Sequence, residues 1–227
     1  MKAVIIAAGV GKRMQPLTLT TPKPLLTVLG KTLLERVFDV LPNEITEMII
    51  VIGYKGDMIQ AKFGNSYKGK KIDYVEQKEQ KGTAHALELC RHLLTKGERF
   101  LVMYADDIHH KESIQKMLVY QRALLLSRAE HPERFGVVEM DKDNRILELV
   151  EKPDNPKSDL VSNGVYLLDD NVFNYKAHEY KGELYLPVLI EQMLKEYPVY
   201  GVVSDLWIPV GYPEDLKTAE EILSARK

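Results

Sequence analysis

Residues 1–25 read MKAVIIAAGVGKRMQPLTLTTPKPL. The apolar run at 3–8 meets Gly9 at once, and its length and β-branched content are those of a strand buried on both faces. It is too short for a signal-peptide core or a membrane span. The following turn, Ala8-Gly9-Val10-Gly11-Lys12-Arg13, has backbone N–H groups that can approach an anion closely and cations that can neutralise it. Two common phosphate motifs do not fit. A P-loop needs glycine where Ile6 stands and Ser or Thr where Arg13 stands, and the dinucleotide fingerprint needs a third glycine at Met14. Ten residues after Arg13, Lys23 lies between Pro22 and Pro24, which stiffen the backbone and narrow the directions in which its ammonium can point.

Working outward, strand-like apolar runs recur at 48–52 and 100–103, separated by helical patterns at 32–41, 57–63 and 82–94. This alternation predicts a parallel sheet covered by helices, an α/β fold. Beyond Asp106 the pattern turns mixed. A long helix is expected near 112–126, then strands at 135–140, 146–150 and 163–168 with turns at 141–144 and 154–156, helices at 186–195 and 213–225, and a strand at 199–203. No repeat, low-complexity tract or linker interrupts the chain, so one domain over 1–227 is expected.

The formal net charge of −2 and the absence of like-charge runs exclude a general attraction to nucleic acid, so any anionic ligand must be held locally. Cys90 is the only cysteine, which rules out an intrachain disulfide; within ALELCRHLL it reads as a small buried apolar residue. No segment reaches membrane length, and a cytoplasmic protein is expected.

Two further stretches carry candidate chemistry. In QKEQKGTAHA (77–86) a Gly82-Thr83 step opens a helix just after an expected strand at 72–75, and the Gln77 amide can read the edge of a flat base. On residue types alone this is also simply an N-capped helix. In Tyr104-Ala105-Asp106-Asp107 two carboxylates follow a buried strand, where open α/β sheets place their ligands. Such oxygens suit Mg²⁺, which takes one or two carboxylates plus substrate phosphates. Asp107 can alternatively cap the next helix, and His109 and His110 read as a solvated pair. Glu151 and Lys152 read as surface charges.

The 1–25 stretch resembles the signature of the sugar-1-phosphate nucleotidyltransferase family, a Gly-rich loop with Arg followed by Pro-Lys and Leu. The spacing Gln77-x-x-Gln-x-Gly82-Thr83-x-His85 is similar to that of N-acetylglucosamine-1-phosphate uridylyltransferases. The resemblance implies a Rossmann-like three-layer α/β/α fold with a mostly parallel mixed sheet, a nucleotide-binding half at 1–110 and a sugar-binding half at 111–227. It further implies nucleotide contacts from Ala8, Gly9, Gly11, Arg13, Gln77, Gly82 and Thr83, catalytic cations at Arg13 and Lys23, and Mg²⁺ on Asp106. Tyr104, Gly136, Glu151, Lys152 and Asn163 would hold the sugar 1-phosphate.

UTP is then the expected donor, with dTTP next. At Pro209, in LWIPVGYPEDL (206–216), the chain departs from the family, many of whose members carry a second metal-binding Asp there. That departure keeps a non-catalytic nucleotide-sugar sensor open, and the shared N-terminal loop keeps open a cytidylyltransferase acting on a phospho-alcohol such as phosphocholine. The 213–225 helix leaves no room within these residues for the β-helix domain of bifunctional relatives, so a single activity is expected. Whether the protein is a homo-oligomer, dimer or tetramer, stays open.

Overall fold

The computed structural model describes residues 1–180 and 182–226. Its first strand, β1 (Lys2–Ile6), lies inside the sheet as the apolar run predicts. A small hairpin of β2 (Thr27–Val28) and β3 (Lys31–Thr32) follows, then β4 (Glu47–Ile52), β5 (Ser66–Tyr67), β6 (Lys70–Glu76) and β7 (Arg99–Tyr104). Strand β1 pairs in parallel with β4 and with β7, and β4 pairs in parallel with β6. All four therefore end at one edge of the sheet. Cross-strand bonds continue past that edge, with Ala7 N–H donating to Val51 O, Ala105 N–H to Ile6 O and Gln77 N–H to Ile52 O. The loops carrying the candidate residues are thus fastened side by side.

The second half adds the short β8 (Ile108–His109), then β9 (Ala123–Arg128), β10 (Gly136–Met140), β11 (Ile146–Glu151), β12 (Leu160–Asp169), β13 (Tyr200–Val203) and β14 (Trp207–Ile208). Strand β12 joins the halves by pairing antiparallel with β7, Tyr166 opposite Val102. It also pairs antiparallel with β9 and β10, which gives the expected mixed sheet.

Helices cover both faces. Helices α1 (Leu33–Val40), α2 (Gly56–Phe63) and α4 (Lys111–Met117) bury Leu34, Val37, Ile59 and Ile114 against Ile5, Ile50 and Met103. On the other face α3 (Thr83–Leu89) and α5 (Leu186–Met193) set Leu87 and Ile190 against Val4, Ile49 and Val102. Helix α1 starts where Thr32 Oγ1 accepts from Glu35 N–H at 3.1 Å and Glu35 returns a carboxylate to Thr32 N–H at 2.8 Å, a reciprocal cap. A third cluster packs α6 (Pro213–Ala225) through Ala219 with Met14, Leu33, Ile208 and Val210. The three-layer α/β/α arrangement is the expected one.

The helix expected near 112–126 is corrected. Helix α4 stops at Met117, and Ala123–Arg128 is strand β9. The apolar run there has period two, because Leu124 and Leu126 enter one core while Ala123 and Leu125 enter the other. Four consecutive apolar residues hide that alternation from a helical template. The 82–94 helix is also shorter, with α3 ending at Leu89 before a 3₁₀ turn at Arg91–Leu93. Cys90 is buried as expected, and burial pushes its thiol up to about 12.

His109 is not solvated. It sits on β8 opposite Trp207 of β14, is 4% exposed, and neither ring nitrogen has a hydrogen-bond partner among the described residues. Burial lowers its pKa from the ordinary 6.5 to about 4, against an opposing pull from Asp106. Between those values the unfolded chain binds a proton that the folded chain refuses, so stability present near neutrality is lost as pH falls through this window. Chemical denaturation should therefore register a loss attributable to His109 of roughly 2 kcal/mol between about pH 7 and about pH 5. That component should vanish in His109→Leu.

Candidate functional site

The loop after β1 is built by close packing upon itself. Gly11 has φ of 67°, and a Cβ there would come within 3.0 Å of Thr18 Cγ2 and 3.2 Å of Lys23 Cβ, so glycine lets the two arms of the loop touch. Thr18 Oγ1 donates to Gly11 O at 2.9 Å. From outside, Tyr54 OH donates to Thr18 O at 2.9 Å and Lys55 Nζ to Leu19 O at 2.7 Å. These contacts hold Lys23, only 8% exposed, with its Nζ 2.5 Å from Asp106 Oδ2.

Two adjoining cavities meet at that pair. The first, about 570 Å³, is walled by Gly9, Gly11, Arg13, Lys23, Gln77, Gly82, Thr83, Tyr104 and Asp106. The second, about 540 Å³, shares Arg13, Lys23, Thr83, Tyr104 and Asp106 and adds Gly136, Glu151, Lys152 and Asn163. Of the residues that the family resemblance assigns to nucleotide, sugar phosphate or metal, Ala8 alone lines neither cavity. Its side chain is 1% exposed in the core and its carbonyl is taken by Tyr54 N–H at 3.2 Å.

Gln77 is 3% exposed, and its Nε2 lies 3.0 Å from Gly82 O and 3.1 Å from His85 Nδ1. A backbone carbonyl only accepts, so the group facing it must be the amide NH₂. His85 Nδ1 then accepts as well, and Gln77 Oε1 is the acceptor left on the first cavity's wall. Gly82 has φ of 101°, and a Cβ would lie 2.6 Å from Leu184 O and 2.7 Å from Leu184 N. Only glycine admits this approach, which lets Leu184 N–H donate to Lys81 O and Ala84 N–H donate to Leu184 O. The Thr83 hydroxyl accepts from Leu186 N–H at 2.9 Å, so it anchors the start of α5 as well as lining both cavities.

In the second cavity Gly136 lies opposite Glu151 on β11 and Ser162 on β12. Glu151 is 9% exposed with Lys152 Nζ at 3.6 Å, and Lys152 Nζ sits 3.9 Å from the Tyr185 ring centroid. Neither Glu151 nor its ion pair is the solvated surface feature that residue type alone implies. Asn163 Nδ2 donates to Ser127 Oγ at 3.0 Å, while Asn163 Oδ1 and Ser162 Oγ are buried without protein partners among the described residues. Orphaned polar atoms beside a cavity suit a hydroxyl-rich ligand.

Asp107 does not cap a helix. Its carboxylate accepts from Trp207 Nε1 at 2.9 Å and Val210 N–H at 3.1 Å, and burial with Asp106 alongside holds its pKa above the ordinary carboxylate range. Pro209 lies within that bound segment and lines the second cavity. Among the described residues no group of three or more His, Cys, Asp or Glu side chains forms a metal cage. Asp106, its side chain 37% exposed, lines both cavities, as does Glu183, and carboxylate oxygens are the hard donors that suit Mg²⁺.

Sequence reasoning missed Glu183, on the wall of both cavities, and Arg134, Trp207 and Tyr212, on the second. Glu183 lies in HEYKGELYLPV, which has no periodicity to mark it, and Arg134 looks like any surface charge beside a proline.

The family model described as nucleotidyl transferase matches residues 2–226. The UTP–glucose-1-phosphate uridylyltransferase AglF of Haloferax volcanii is 33% identical over 238 residues, covering 98% of this chain and 96% of that protein. The bifunctional protein GlmU of Methanococcus maripaludis is 33% identical over 225 residues, 96% of this chain but 53% of its own length, so the chain spans about half of that relative. A Bacillus anthracis crystal structure assigned as a glucose-1-phosphate thymidylyltransferase, in complex with sucrose, superposes with a TM-score of 0.86 at 29% identity, covering 98% of this chain and 94% of that one. A UDP-glucose pyrophosphorylase complexed with UDP-glucose shares the fold, with a TM-score of 0.85 at 23% identity over 100% of this chain and 99% of that one.

The contact of Gly82 with Leu184 can be broken directly. Gly82→Ala is expected to lower unfolding free energy by about 2 kcal/mol, since backbone must move to admit the methyl group. It should also weaken nucleoside triphosphate binding, read by calorimetric titration on the folded fraction.

Proposed function

The chain belongs to the nucleotidyl transferase family, and from that premise we propose that it is a sugar-1-phosphate nucleotidyltransferase: it moves a nucleoside monophosphate from a triphosphate to a sugar 1-phosphate and releases pyrophosphate. The observation that carries this reading is the meeting of the two cavities at Lys23 and Asp106. One cavity offers a glycine loop and an amide, the other a carboxylate, an amide and orphaned acceptors.

An oxygen of the sugar phosphate attacks the α-phosphorus in line, and the bond to pyrophosphate breaks. The attacking monoester is largely dianionic near neutrality, its second pKa being about 6, so no general base is needed. Positioning and charge neutralisation then carry the rate. Arg13, lining both cavities, grips the departing pyrophosphate, and Lys23 offsets charge at the α-phosphate. In the resting chain Lys23 and Asp106 neutralise each other, and substrate phosphates compete for the ammonium. Asp106 is the residue that would hold Mg²⁺, whose chemistry there is charge neutralisation on bridged phosphates. Asp107 is tied to Trp207 and Val210 and Pro209 offers no ligand, which leaves Asp106, with the substrate phosphates, as the proposed holder.

UTP is the proposed donor, with dTTP next. Gln77 Oε1 can accept the N3–H that uracil and thymine share, and Gly82 O together with His85 Nδ1 holds the amide in that orientation. Glucose 1-phosphate and amino-sugar 1-phosphates are the proposed acceptor class. A second reading has one observation in its favour: Phe135, Trp207 and Tyr185 give the second cavity aromatic walls, as a phospho-alcohol with a quaternary amine would require. Against it, Lys152 already occupies the face of Tyr185 at 3.9 Å.

Pyrophosphate release across the common nucleoside triphosphates, paired with hexose and amino-sugar 1-phosphates and with phosphocholine, decides between these. The expected result is release with UTP and a sugar 1-phosphate. Release with CTP and phosphocholine would select the second reading, and binding without release would identify a sensor. Asp106→Asn should lower kcat by about a hundredfold or more while the circular-dichroism spectrum shows the fold intact; near-normal turnover would exclude its role. His85→Leu should lower the preference for UTP over CTP, as the ratio of kcat/KM values, by about tenfold. A merely structural His85 would change both nucleotides alike.

A further inference from the structure

Tyr212 precedes α6, and two guanidiniums approach its ring: Arg13 Cζ and Arg134 Cζ each lie 5.4 Å from the centroid. Arg134 Nη2 also donates to Tyr212 OH at 2.9 Å. The backbone that carries the ring is fixed, because Asp215 Oδ2 accepts from Gly211 N–H at 2.7 Å and from Tyr212 N–H at 2.8 Å. Neither arginine forms an ion pair among the described residues. Two like charges held against one aromatic ring repel each other, and cation–π attraction offsets that only in part. An anion bound beside either cation lowers that repulsion. Arginines in such a position present planar forks suited to phosphate oxygens.

The two cations differ in reach. Arg13 lines both cavities, whereas Arg134 lines only the second, with Gly136, Glu151 and Lys152. We propose that Arg134 binds the phosphate of the sugar 1-phosphate, and that Tyr212 is a positioning residue that holds Arg134 by its hydroxyl and Arg13 by its ring. This assignment rests on the transfer reaction proposed above. It places the acceptor's monoester beside Arg134 while Arg13 serves the nucleotide phosphates, so one tyrosine sets the spacing of the two substrates.

Steady-state kinetics on the full chain, varying each substrate in turn, separates the roles. Arg134→Gln should raise KM for the sugar 1-phosphate by about tenfold and leave KM for the triphosphate within about twofold. Arg134→Lys should recover part of the loss, because the charge returns without the fork. Tyr212→Phe keeps the ring and loses the hydroxyl, so only the sugar-phosphate KM should rise, by about threefold. Tyr212→Leu should raise both. An unchanged sugar-phosphate KM in Arg134→Gln, or equal changes for both substrates, would overturn the assignment.

If the wild-type chain releases no pyrophosphate with any pair, the transfer reading fails on its own, and binding then judges the arginine. Glucose 1-phosphate is titrated calorimetrically in the presence of α,β-methylene-UTP, whose bridging carbon prevents transfer. Wild-type binding that weakens about tenfold in Arg134→Gln sustains the assignment. Equal binding by both, or none by the wild type, contradicts it.

Discussion

The ion pair between Lys23 and Asp106, 2.5 Å across, is the contact on which the rest of the site depends. It joins the far arm of the loop after β1 to the end of β7, two segments separated by 83 positions in the chain. Parallel pairing of β1 with both β4 and β7 brings those strand ends to one edge, and Gly11 lets the loop fold tightly enough for Lys23 to reach inward. The prolines on either side of Lys23 reduce the conformational freedom lost in holding it there. Each partner is kept beside the place where a phosphate and a cation would compete for it.

Charge around this pair is arranged unequally. Asp107, though adjacent to Asp106, is drawn into hydrogen bonds with Trp207 and Val210 and kept from ionising readily by burial and its neighbour. Pro209 removes a carboxylate that many members of the family have. Four cations, Arg13, Lys23, Lys152 and Arg134, line the second cavity alongside its carboxylates. On the proposed reading the substrate phosphates would complete the electrostatics, with Asp106 among the groups that line both cavities.

Much of this was legible from residue order. Short apolar runs at 3–8, 48–52 and 100–103 announced parallel strands, and Pro-Lys-Pro announced a fixed ammonium. What was hidden has physical causes. The β9 strand was hidden because four consecutive apolar residues serve two cores and lose their alternation in the sequence. His109 was misplaced because burial of a short strand pair, β8 with β14, depends on a segment a hundred residues away. Ala8 turned inward because its carbonyl and methyl were needed against Tyr54 and Gly53. Arg134 and Tyr212 gave no local signal, since their meaning lies in a contact between distant loops.

On the proposed reading a nucleotidyl group crosses from one cavity to the other past Lys23 and Asp106. The most direct measurement gives the purified chain UTP labelled at the α-phosphorus, glucose 1-phosphate or N-acetylglucosamine 1-phosphate, and Mg²⁺, and follows where the label goes. The account predicts label in a UDP-sugar, formed in equal amount with pyrophosphate. Label that stays in UTP although both ligands bind, or that appears as UMP without sugar, would contradict it.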